Sequence, residues 1–93
     1  MTTYVITYDL NKEEDSADYK PLIDELKKLG AHRYQASSWL ANLTGTTEVV
    51  HDHFKALMDS NDALWVSELT SVHHYSGARS GTTNWLKNNP PAR

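Results

Sequence analysis

The stretch Ala31–Thr44, AHRYQASSWLANLT, decides the fold. Tyr34 and Ala36 share one parity, whereas Trp39, Ala41 and Leu43 share the other. Side chains of a strand alternate faces with a period of two, so one uninterrupted strand would split this apolar set between opposite faces. A turn or bulge near Ser37–Ser38 removes the conflict. The stretch therefore reads as two short strands, about 32–37 and 38–44, paired as a tight hairpin or one sharply bent ribbon, with Gly45 closing it.

On the N-terminal side, Leu22, Ile23, Leu26 and Leu29 fall on one helical stripe. Asp18 is the expected N-cap, and Pro21 is tolerated in a first turn whose backbone donors lack partners. Lys27 and Lys28 suit the C-terminal turn and Gly30 the position just past it, so a helix is expected over 18–29. Before it lies the polar, acidic loop Asn11–Ala17, and before that Thr3–Leu10 (TYVITYDL), a β-branched and aromatic strand. Tyr4, Ile6 and Tyr8 line one face of that strand and Val5, Thr7 and Asp9 the other, an arrangement suited to a central strand covered on both sides.

On the C-terminal side, Thr46 or Thr47 can cap a helix over 47–58 whose stripe is Val49, Val50, His53, Phe54, Leu57 and Met58. Asp59–Asp62 ends it, and Ala63–Thr70 (ALWVSELT) alternates as a last core strand. The order strand, helix, strand, strand, helix, strand is the ferredoxin-like βαββαβ layout, an α+β fold with two helices on one face of an antiparallel sheet. Residues 1–70 form this core, and residues 71–93 form a tail with Val72, His73, His74 and Tyr75. Thr82 or Thr83 can cap one helical turn carrying Trp85, Leu86 and Lys87, which Asn88–Pro91 stops. Such a tail is expected to dock on its own sheet or on a second copy. The two-sided first strand favours a homodimer that covers the open face, since two-fold dimers dominate soluble oligomers.

Composition narrows the function. The 93 residues suffice for one domain, with 39% hydrophobic and 23% charged residues. The chain has no cysteine, which excludes disulfides, thiolate metal sites and a cysteine nucleophile. No signal peptide or membrane span is read, so a cytoplasmic protein is expected. The net charge is −3, which argues against a strong generic nucleic-acid binder. All 12 acids lie in residues 1–70, however, while residues 71–93 carry Arg79, Lys87 and Arg93 and no acid.

Among chemically useful side chains, Asp9 stands first. A carboxylate at a strand end can coordinate a hard cation, or it can accept backbone hydrogen bonds in the Asp9-Leu10-Asn11 turn. His51 and His53 point in different directions on a helix, and Glu48 with His51 has a metal-ligand spacing that needs further carboxylates. His73 and His74 would face opposite ways, and Ser37–Ser38 sit where hydroxyls commonly satisfy free backbone groups. Trp39, Trp65 and Trp85 do not form a stacking platform by spacing. The sequence has no phosphate-binding loop, dinucleotide fingerprint, zinc pattern or helix-turn-helix pair, and a nucleotide cofactor is not expected.

The opening Thr3-Tyr4-Val5-Ile6-Thr7-Tyr8-Asp9-Leu10-Asn11 resembles the first strand of the CRISPR-associated protein 2 family, where a Tyr-Asp pair ends that strand. Gln35–Leu40 resembles its central hairpin and Asp62–Leu69 its fourth strand. The chain is more similar still to short bacterial and phage proteins of that superfamily, some labelled SinR-like, with a YDLN start, a serine–tryptophan hairpin and an ending like Gly81–Lys87. The resemblance implies a symmetric dimer whose tail strand crosses to the partner. It also implies a Mg²⁺-dependent nuclease with Asp9 as catalytic metal ligand, or a non-catalytic dimeric module binding protein or nucleic acid. Arg33 beside the hairpin and Arg79 in the tail are the candidate nucleic-acid contacts, and Val72, Tyr75 and Trp85 the candidate dimer contacts.

Overall fold

A computed structural model describes residues 1–13 and 17–93; positions 14–16 of the acidic loop lie outside the described residues. The elements are β1 (Thr2–Asp9), α1 (Lys20–Lys28), β2 (His32–Gln35), β3 (Ser38–Leu43), α2 (Thr47–Lys55), β4 (Ala63–Glu68) and α3 (Thr82–Asn88). The sheet order is β2-β3-β1-β4, with each neighbouring pair antiparallel. This is the expected α+β, ferredoxin-like architecture. The parity change is absorbed at Ala36–Ser37, between β2 and β3, together with a register shift between Arg33 and Gln35.

The two faces of β1 explain the layers. Tyr4, Ile6 and Tyr8 are buried with Trp39 and Ala41 of β3, Leu22 and Leu26 of α1, and Val50 and Phe54 of α2. Burying a side chain such as Phe54 or Leu26 contributes about 2–3 kcal/mol each. The polar ends of the core aromatics find partners: Tyr4 Oη donates to the Gly45 carbonyl, and Trp39 Nε1 donates to Tyr8 Oη at 2.9 Å. No buried side-chain polar atom lacks a partner among the described residues.

Helix ends follow local chemistry, with two corrections. At the end of α1, Gly30 takes φ +75°, and its N–H and that of Ala31 donate to the Lys27 and Leu26 carbonyls, the paired closure that glycine permits. Thr46 caps α2 by accepting from the Val49 N–H at 3.2 Å. Asp18 does not cap α1. A 3₁₀ turn, Ala17–Tyr19, precedes the helix and Tyr19 occupies the cap position, because its fully buried ring fixes the entry of the chain. Nor do Thr82 and Thr83 cap α3; Gly81, at φ +92°, does so, and the Thr82 hydroxyl donates back to the Arg79 carbonyl.

The tail covers the second face of its own sheet. Among the described residues no strand follows Glu68, so the expected tail strand is absent and residues 69–81 are irregular. Thr3 Oγ1, buried on that face, donates to the Asn89 carbonyl at 2.9 Å and accepts from Asn42 Nδ2. Trp85 Nε1 donates to the Gly30 carbonyl at 3.0 Å, and its ring stacks on His32 at 6.3 Å. The chain end returns to β4, where the Arg93 guanidinium grips Glu68 through two bonds of 2.8 and 3.0 Å. Covering by the tail meets the need that had pointed, in the sequence, to a second copy over this face. No helix of the described residues is long and apolar enough to cross a membrane.

Candidate functional site

Three groups of side chains could carry function, and all are positioned by the sheet. At the C-terminal end of β1, Asp9 is exposed and shares the face of Thr7, away from the helices. The turn role open to it in the sequence is not the one it plays. The Asn11 N–H, which a carboxylate at Asp9 would bind in such a turn, donates instead to Asp62 Oδ1 at 2.8 Å.

Asp62 is the hub of this end of the molecule. Its Oδ1 also lies 2.8 Å from the Tyr19 hydroxyl, its Oδ2 accepts from the Asp59 N–H at 2.8 Å, and Lys55 Nζ donates to its carbonyl. Burial would push the Asp62 carboxyl up, but the Asn11 N–H, the Tyr19 hydroxyl, the Asp59 N–H and the Lys55 charge together hold it below the usual carboxylate range. Four partners within the chain make this a structural clamp. Sequence reading missed it, because its partners are far apart in the chain and the DSND run reads only as a helix stop.

At the opposite edge, β2 carries Arg33 and anchors the backbone of Arg79. Arg33 lies over the Trp39 ring at 5.3 Å and donates through Nε to the Ala36 carbonyl at 3.0 Å. The backbone N–H of Arg79 donates to the Tyr34 carbonyl, which pins the tail to the same strand. Both guanidinium charges act electrostatically on the Tyr8 phenol. Burial pushes that phenol up, while the Trp39 hydrogen bond and the two arginines pull it down less strongly. Arg79 is exposed and Arg33 half-buried.

Val72, Tyr75 and Trp85 do not form one surface. Trp85 meets its own chain at Gly30 and His32, the Tyr75 hydroxyl bonds Thr83 Oγ1 at 2.7 Å, and Val72 is 90% exposed. A cavity of about 130 Å³ lies between the tail and the sheet, lined by Val5, Leu40 and Leu69 below and His73, His74, Tyr75 and Leu86 above.

Mg²⁺ binds through one or two carboxylates plus waters and substrate phosphates. Asp9 offers one carboxylate, and no group of three or more His, Asp or Glu side chains that could hold a metal exists among the described residues. The donors among the described residues therefore do not make a metal site in one chain.

No family model matches the chain. Among solved structures it is similar to a hypothetical protein, TT1823, from Thermus thermophilus, with 22% sequence identity and a TM-score of 0.62 over 84% of this chain and 94% of that one. Likeness at this identity shows the fold.

Proposed function

We propose that the protein is a homodimeric, non-catalytic module of the cytoplasm that binds nucleic acid through the β2 edge. The placement of Arg33 and Arg79 on that edge carries the reading: Arg33 lies in β2, and the backbone N–H of Arg79, far away in the sequence, is bonded to the Tyr34 carbonyl of the same strand. Arginine contacts phosphate oxygens in a planar, two-pronged geometry, and the tail that carries Arg79 contains no acid. The resemblance to CRISPR-associated protein 2 points to the same class of partner.

The test is fluorescence anisotropy with single- and double-stranded RNA and DNA across a salt series. Binding at low salt should weaken as salt rises. Arg33→Gln and Arg79→Gln should each weaken it evenly across sequences and lower the salt slope by about one. Absence of binding at low salt, or slopes unchanged in both variants, overturns the reading.

A second reading, Mg²⁺-dependent phosphodiester cleavage at Asp9, is favoured by one observation. Asp9 is exposed, and the turn bond it would have accepted goes to Asp62.

A further inference from the structure

We propose that the cavity between the tail and the second face of the sheet binds one small, neutral aromatic molecule of the size of benzene or phenol. The inference rests on neither the homodimer nor the nucleic-acid reading. Protein interiors hold few voids larger than a water molecule, because an empty space forfeits contacts on its walls. This one measures about 130 Å³. An apolar cavity of roughly 150 Å³ stays dry and takes up benzene, whereas drug-sized ligands occupy about 300–1,000 Å³. A nucleotide is therefore too large, and a single ring fills the space.

The walls set the class of ligand. Val5 of β1, Leu40 of β3 and Leu86 of α3 are aliphatic, and Tyr34, His74 and Tyr75 add ring faces and edges. Aromatic rings favour another ring through edge-to-face and offset contacts, beyond the area that is buried. Polar groups here are largely spent within the chain. His73 Nδ1 bonds the Thr70 carbonyl at 2.6 Å, the Tyr75 hydroxyl bonds Thr83 Oγ1 at 2.7 Å, and Thr82 Oγ1 donates to the Arg79 carbonyl. Among the described residues no lysine, arginine, aspartate or glutamate lines the cavity. A charged ligand would lose its hydration there without a counter-charge.

The roof of the cavity also provides a way in. The tail is tied to the sheet at Leu69, whose N–H donates to the Thr3 carbonyl, and again at Arg79, whose N–H donates to the Tyr34 carbonyl. Among the described residues no backbone bond joins the intervening residues 70–78 to the sheet. A strap held at its two ends can lift and admit a ring while every ladder bond of the sheet stays made.

The test is a methyl NMR titration of the native chain with phenol, without nucleic acid. Methyls of Val5, Leu40 and Leu86 should shift together and saturate, with a midpoint near about 1 mM. Those of Leu22, Leu26 and Val50, packed on the other face of the sheet, should stay still. Val5→Phe fills the space from the sheet and Leu86→Phe fills it from the tail, so each folded variant should bind phenol at least about tenfold more weakly. Cyclohexanol, which lacks the aromatic face, and benzoate, which is charged, should bind roughly fivefold or more below phenol. Absence of a saturable shift overturns the proposal, as do shifts spread over both faces and unchanged phenol affinity in a folded variant. Cyclohexanol or benzoate binding as tightly as phenol overturns it too. Should both variants fail to fold, the shift pattern of the native chain decides by itself.

Discussion

Asp62 shows how one residue can hold two loops and a helix entry. Its carboxylate satisfies the Asn11 and Asp59 N–H groups and the hydroxyl of the fully buried Tyr19. Asp62→Ala should leave the Asn11 and Asp59 N–H groups without this acceptor, while the Tyr19 hydroxyl keeps Asn11 Oδ1 at 2.7 Å, and cost about 2 kcal/mol, read as a fall in the urea midpoint. Asp62→Asn keeps one acceptor oxygen and should cost less. The same site sets a pH dependence. A carboxyl whose folded pKa lies below its unfolded value of about 3.9 contributes its stability in full above that value. The contribution is lost as pH falls through the lower, folded value. Urea midpoints measured from about pH 6 to about pH 3 should therefore fall more steeply for the native chain than for Asp62→Asn. Equal slopes would show that the carboxylate is not held in its charged form.

At the scale of elements, the legible parts were those written in local periodicity. The parity change, found at Ala36–Ser37, the Leu22–Leu26 part of the α1 stripe, the Thr46 cap and Gly30 each follow from neighbours within a few residues and appear in the structure, whereas Leu29 at the end of that stripe is exposed. The start of α1 was misread because a short-range preference, Asp18 at a cap, lost to the burial of Tyr19 against Asp62. The tail was expected to contain a strand on the resemblance alone, and among the described residues it contains none. Its docking is decided instead by distant polar anchors, Thr3 to Asn89 and Trp85 to Gly30, that no local pattern encodes. Of the candidate sites, Asp9 and the arginines were visible as residue types, but the anchoring of the Arg79 backbone on β2, the strand of Arg33, is a product of the tail's path. Trp85→Ala removes the indole bond to Gly30 and the stack on His32, a loss of about 1–2 kcal/mol. Hydrogen exchange should then speed up across residues 71–93 while β1 and β3 keep their protection. Unchanged exchange in the tail would mean that α3 is held by other contacts.

For the molecule as a whole, the two readings of Asp9 depend on how copies meet. A single carboxylate binds Mg²⁺ weakly, so a cleaving site needs further ligands, either from a second Asp9 or from the substrate itself. In the non-catalytic reading Asp9 meets phosphate alone, as a repelling charge at the exposed end of β1. Asp9→Asn keeps the shape and removes that charge. It should therefore leave the dimer and thermal midpoint nearly unchanged and tighten nucleic-acid binding slightly, most visibly at low salt. With Mg²⁺ or Mn²⁺, RNA and DNA should stay intact in the presence of either protein. Metal-dependent cleavage by the native chain that Asp9→Asn abolishes would install the catalytic reading instead. A dimer axis that brings the two β1 ends together would supply the second carboxylate, and a disulfide between two Asp9→Cys chains under mild oxidation would report it.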